Sequence, residues 1–341
     1  MNPTTMRPAP LSTTGIGSLP HTQLEMALQQ ALSTDVPYLP ELPKRTPNEA
    51  FAAQVLEPLP GLRILDGGQL TVDFDAWHAG AFALDAKLDE AKDPGNFEPF
   101  LPSATSASAW QPFVFEIESR KVAFAKVQCA GPATVLASLA GGVQLPERLE
   151  RQVLNLVIHR AMAMAWALRV AGAVPIVFLD EPVLGAVRKA SKAEQERELE
   201  HLRHTVLGLR NEGAITGIHC CGEADWAPLL RLGLDVLSFD ATISLEKLLV
   251  SRPDVERFLE TGGWFGLGVV PTDARTPQEF DQRLETALTG IEKLSAPLRG
   301  RILSQSLLTP ACGLGCRTVG DVERVFEALI QAQARLRALK P

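Results

Sequence analysis

Short runs rich in Val, Ile and Leu recur along the chain, at 14–19, 37–42, 125–129, 175–180, 215–221, 236–240, 264–270 and 301–308. Between them, segments 23–32, 147–170, 193–211, 225–232, 245–260, 277–293 and 319–339 place apolar residues at helical spacing with few breakers. Uniformly apolar strands alternating with helices predict parallel strands covered on the outside by helices. Eight such units predict a closed (β/α)8 barrel in a single domain spanning residues 1–341, rather than an open doubly wound sheet. The second unit breaks the pattern. From about 49 to 111 the spacing is irregular, and LRILDGGQLTVDF reads as a hairpin turning at Asp66-Gly67-Gly68, which predicts an insertion over one barrel face.

Composition narrows the possibilities. The chain has 341 residues, 46% of them hydrophobic and 21% charged, which is enough to bury a large core. A net charge of −7 without a basic cluster argues against nucleic acid. The apolar stretch 161–179 is broken by Arg169, Gly172 and Pro175, so it predicts a helix end and a separate strand rather than a membrane span. Five cysteines, an odd number, and an N-terminus lacking an apolar signal core predict reduced thiols in a cytoplasmic protein.

In a barrel, chemistry gathers at the C-terminal ends of the strands. Ser18, Glu41, Asp180, His219, Cys221, Asp240 and Cys312 all fall at such ends. His219 and Cys221, two apart, share one strand face, while Cys220 points the other way. With Cys312 they offer nitrogen and sulfur ligands for zinc, and Asp240, ending its strand, is the candidate fourth or weak ligand. His219 and Cys221 taken alone read equally well as core residues, since Cys and His are often buried. Cys129 and Cys220 are expected in the core, and Cys316 is open to either reading. In FLDEPVL, Asp180 is assigned a binding or basic role and Glu181 a structural one. The turn GIGSLPH brings backbone amides and Ser18 to a position suited to an anion.

The order of these pieces resembles the catalytic C-terminal half of cobalamin-independent methionine synthase, a TIM barrel. TTGIGSLPHT looks like that family's opening motif, FLDEPVL like its IDEPAL motif, IHCC like its H-x-C, and TPACGLG like its NPDCGLK. The resemblance implies zinc that binds homocysteine as a thiolate for S-methylation to methionine, with catalysis resting on Asp180, His219, Cys221 and Cys312. By position, His219, Cys221 and Cys312 would be zinc ligands, Ile16 and Ser18 would hold the homocysteine carboxylate, and Glu41 and Asp180 its ammonium. The family's glutamate ligand is matched by Asp240, and a histidine associated with folate is matched roughly by Asp273. The family's long N-terminal half has no counterpart here. These departures imply the short, core-only branch, with methylcobalamin or a corrinoid protein as methyl donor ahead of methyl-folate. Two other readings stand beside it. One is a metal-free, uroporphyrinogen decarboxylase-like enzyme, which would need a cationic pocket from Lys44, Arg45 and Arg317. The other is a non-catalytic zinc- or corrinoid-handling protein.

Overall fold

The structure is a computed structural model that describes residues 6–66, 68–91, 96–140 and 145–339. Its strands are β1 (Ser12–Thr13), β2 (Leu62–Ile64), β3 (Leu70–Val72), β4 (Phe124–Ala130), β5 (Val174–Asp180), β6 (Ile215–Cys220), β7 (Val236–Asp240), β8 (Trp264–Val270) and β9 (Ser306–Pro310). Seven of them form one curled parallel sheet in the order β1-β9-β8-β7-β6-β5-β4. The gap between β4 and β1 is filled by the extended segment 36–42. On one side Lys126 N donates to Pro37 O at 2.8 Å and Leu39 N to Lys126 O at 2.9 Å; on the other, Val36 N donates to Thr13 O at 3.0 Å and Leu19 N to Glu41 O at 2.8 Å. The sheet therefore closes as a TIM-type barrel.

Segment 36–42 fills the second stave without becoming a regular strand because Pro37, Pro40 and Pro43 lack the N–H groups that a two-sided ladder needs. The first stave is regular only at Ser12–Thr13, two residues earlier than the apolar pattern suggests. Beyond it the chain threads close to other groups: a side chain on Gly15 would strike the Tyr38 ring, and one on Gly17 the Gln128 amide. The last stave also starts later than expected, because Ala296–Ser304 is helical and its Ile302 and Leu303 are buried on the helix. Segment 49–111 includes the hairpin β2–β3, paired Leu62 to Val72. It lies against the outer flank of the barrel. Trp77 Nε1 donates to Gln152 Oε1 at 2.8 Å, Gln152 Nε2 to Ala81 O at 2.8 Å, and Arg160 pairs with Glu57 at 3.0 Å.

Helix Glu147–Val170 is long and apolar enough to cross a membrane. In this fold its apolar face, including Leu149, Val153, Leu156, Val157, Met164 and Leu168, is buried. Inside the barrel, Val36, Ile176, Phe178, Ile215, Val236, Trp264 and Leu307 form an apolar plug separate from the main core between strands and helices. Because strand residues alternate between faces, the same inward positions continue toward the mouth as Lys126 and Gln128 on β4, Asp180 on β5, His219 on β6 and Ser238 on β7. Apolar filling thus gives way to polar groups along β5, β6 and β7.

Glu181, the other acid of the β5 end, is fully buried. It accepts from Ala133 N at 3.0 Å, Thr134 N at 2.9 Å and Thr134 Oγ1 at 2.6 Å, closing the N-terminus of helix Pro132–Ala140. Burial pushes its carboxyl up to about 7, opposed by these bonds. Truncation strands buried donors at a helix start. Glu181→Ala should therefore lower unfolding free energy by about 3 kcal/mol, with Glu181→Gln losing less, as read from urea midpoints. A change under about 0.5 kcal/mol for the alanine variant would remove the capping role.

Candidate metal centre

The register of β5, β6 and β7 sets Asp180 beside His219 and His219 beside Ser238. His219 is 2% exposed, and its Nδ1 lies 2.9 Å from Ser238 Oγ. With Nδ1 engaged, Nε2 is left buried without a protein partner. It faces two sulfurs: the ligand atoms of His219, Cys221 and Cys312 all lie within 4.8 Å of one another. Cys221 follows β6, and Cys312 arrives from the loop after β9. That loop is seated by Ala311 N donating to Val270 O at 2.8 Å and by Leu314 N donating to Ser18 O at 2.8 Å. A side chain at Gly313 or Gly315 would press on Ser18, so small residues let the loop approach the first turn. Cys220 points into the apolar core, its Sγ 3.7 Å from Gly222 O, and Cys316 is exposed.

Two thiols and an imidazole in a closed mouth form an expensive group without a cation. The Cys312 thiol is pushed above its ordinary value by the adjoining Cys221 sulfur first and by burial second, with His219 pulling the other way. Sulfur and nitrogen donors are the set zinc prefers. The orphaned Nε2, with Nδ1 held against Ser238, is the arrangement that a metal-binding histidine shows when a second group holds its other nitrogen. The residues present fit a zinc ion.

Asp240 is not part of this cluster. Its Oδ1 accepts from Thr242 N at 2.8 Å and Thr242 Oγ1 at 2.6 Å, capping helix Ala241–Leu249, and its Oδ2 takes Arg283 Nη2 at 3.3 Å. A strand-end aspartate with a threonine two residues on and a helix behind it is an N-cap first. Asp273 is ion-paired with Arg283 at 2.5 Å.

Beside the cluster lies a buried polar layer. Ser18 Oγ donates to Glu41 Oε2 at 2.7 Å. Lys126 Nζ donates to Ile16 O at 2.6 Å and to Gln128 Oε1 at 2.9 Å, and it sits 4.7 Å from the centre of the Phe178 ring. Gln128 Nε2 donates to Leu39 O at 2.9 Å. Asp180 Oδ1 is buried with no partner. Burial raises the Glu41 carboxyl to about 7, aided by the charge of Asp180, and lowers the Lys126 ammonium to about 8. Burial likewise raises Asp180, against the pull of His219 and Lys126. Ile16 and Ser18 thus meet Lys126 and Glu41 within the protein itself. Lys126, Gln128 and Ser238 were not singled out from the sequence. Their signal was a polar residue in inward phase within an apolar run, in FAKVQCA and in VLSFD. Lys44 and Arg45 are engaged elsewhere, donating to Arg317 O and to Thr22 O, and Arg45 also lies 3.7 Å from Glu49.

The fold and cluster together define a TIM-type barrel carrying a His-Cys-Cys group at its mouth. No protein-family model matches the chain, and no curated protein matches it in sequence. Among solved structures it is similar to a Listeria monocytogenes protein provisionally named a vitamin-B12-independent methionine synthase, at 13% identity over 98% of this chain and 100% of that one, TM-score 0.45. It is also similar to a xylose isomerase-like TIM barrel protein from Mycobacterium smegmatis solved with magnesium, at 12% identity over 75% of this chain and 90% of that one, TM-score 0.36. A D-psicose 3-epimerase solved with D-fructose aligns at 10% identity over 66% of this chain and 93% of that one, TM-score 0.34.

The Glu41 shift sets a pH dependence. Its carboxyl has an ordinary value of 4.5 and a folded value of about 7, so between them the folded protein keeps a proton that the unfolded chain has lost. That contribution favours folding at low pH and is lost as pH rises from 4.5 to 7. In metal-free protein, Glu41→Gln should reduce the fall in unfolding free energy across this window by on the order of 2 kcal/mol. Parallel pH profiles for the two proteins would contradict the shift.

Proposed function

We propose that this protein is a zinc-dependent S-methyltransferase that converts homocysteine to methionine, with a methyl-corrinoid, free or protein-bound, as donor in preference to methyl-folate. The observation that carries the reading is the convergence of His219 Nε2 with the Cys221 and Cys312 sulfurs in the barrel mouth. His219, Cys221 and Cys312 would hold the ion. A divalent ion bound there would supply ionisation of an incoming thiol, which otherwise has a pKa near ~8.5 and is only a few per cent anionic at neutral pH.

The chain's own residues do the rest. Ser238 Oγ holds His219 Nδ1 at 2.9 Å, so that Nε2 is the ring nitrogen turned to the two sulfurs. Asp180 offers an unpartnered buried oxygen, and Glu41 lies close enough for Asp180's charge to raise it. A substrate ammonium would satisfy both, displacing the proton Glu41 holds below about 7. Lys126 balances one of the two carboxylates, leaving the pocket with room for one further positive charge. Ser18, between Glu41 and the Cys312 loop, would turn its hydroxyl from Glu41 to the substrate carboxylate once the ammonium engages Glu41. In the transfer, the sulfur–carbon bond forms as the donor–carbon bond breaks. The electron pair stays with the donor and the thiol proton leaves to solvent. Holding sulfur and methyl carbon in line supplies much of the rate, and closure against water favours the charged nucleophile's reaction with carbon. Asp273, in the loop after β8, is paired with Arg283, and that engagement supports the corrinoid donor over folate.

Purified protein should contain about one zinc per chain, and Cys312→Ala should lose it together with methylation of homocysteine by methylcobalamin. Metal-free wild-type protein that still methylates the thiol, or wild-type protein that binds zinc tightly yet never methylates it, would sink the reading. Ser238→Ala should weaken zinc binding by about tenfold or more in a chelator competition, because it frees the histidine ring to turn.

A further inference from the structure

Asp240 ends the strand beside the one that carries His219 and leads to Cys221, and its oxygens are tied elsewhere. It ends β7 two residues after Ser238, so the two side chains start from the same inward face. Ser238 is the residue that touches His219. A free carboxylate at such a position is an ordinary zinc ligand, and an electropositive centre would attract it. Here its oxygens are taken by Thr242 and Arg283. Arg283 comes from helix Pro277–Glu292 and has side-chain exposure of 18%. It bridges the site: Nη2 also donates to Thr242 Oγ1 at 2.9 Å, and Nη1 reaches Asp273 Oδ1 at 2.5 Å. A planar guanidinium engaged on both arms is a stiff restraint.

Resting on the zinc reading above, we infer that Arg283 and Thr242 form a clamp that holds Asp240 off the metal, making Arg283 a positioning residue that reserves the fourth coordination place for the substrate thiol. The centre is then a three-ligand site with an open position, the form that catalytic zinc sites take. Occupancy by Asp240 would turn it into a closed, four-ligand site that thiol must compete to enter.

The test uses the full chain loaded with Co2+ in place of zinc, read by visible absorption with and without L-homocysteine, and zinc affinity by chelator competition. Asp240→Asn keeps a helix-capping side chain but is a poor ligand. It should bind zinc within about twofold of wild type and keep the spectral response to thiol. Arg283→Met should show the altered cobalt spectrum before thiol is added and need about tenfold more homocysteine to respond. The double variant D240N/R283M should regain the wild-type response, which a merely misfolded R283M would not allow, and R283K should keep it in part. Zinc binding weakened about tenfold or more by D240N alone would show that Asp240 already ligates, and would overturn the clamp while leaving the zinc centre standing. So would an R283M protein that responds to thiol as wild type does. Wild-type protein that takes up neither metal overturns the centre and the clamp together.

Discussion

The strand register across β5, β6 and β7 is the constraint on which the site depends. Asp180, His219 and Ser238 stand side by side because the parallel ladder aligns them. A slip of one residue would turn each of them outward and bring Leu179, Ile218 and Leu237 into the mouth. The apolar plug below, from Val36 to Leu307, holds that register from the other end of the barrel, since the same alternation that packs Ile176 and Phe178 inward also points Asp180 inward. Packing energy at the barrel floor therefore positions polar groups at its mouth.

That division of labour explains the unusual ionisation at the mouth. Lys126, Glu41 and Asp180 are all buried in a space that water would otherwise screen, so each is pushed toward its neutral form and each is drawn back by the others. Such a layer is costly to a fold and is retained where charge is to be received from a ligand. At the other side the Cys312 thiol is pushed up by the adjoining Cys221 sulfur and by burial, next to an imidazole nitrogen without a partner. On the proposed reading, one half of the mouth would receive a substrate ammonium and the other half a metal ion.

Much of this was legible in the chain. The recurrence of Val/Ile/Leu runs with helices between them located all eight staves, and the strand-end rule placed His219, Cys221 and Cys312 at one mouth although they lie far apart in sequence. What pattern reading missed had physical causes. Prolines kept 36–42 out of regular pairing, and buried Ile302 and Leu303 look alike on a helix or a strand. Lys126 was passed over because a lysine in an apolar run reads as an exception, when its inward phase made it part of the polar layer.

Residue order alone determined the alternation of elements, the parallel barrel and the types of donor atom available at the strand ends, because these follow from local periodicity and side-chain chemistry. Only the folded chain decided which of those donors meet. Cys312 joins His219 because glycines let its loop pack on Ser18, and Asp240 stays apart because Thr242 and Arg283, the latter from a later helix, claim its oxygens. Such choices rest on distances between segments brought together by packing, which periodicity along one strand does not encode.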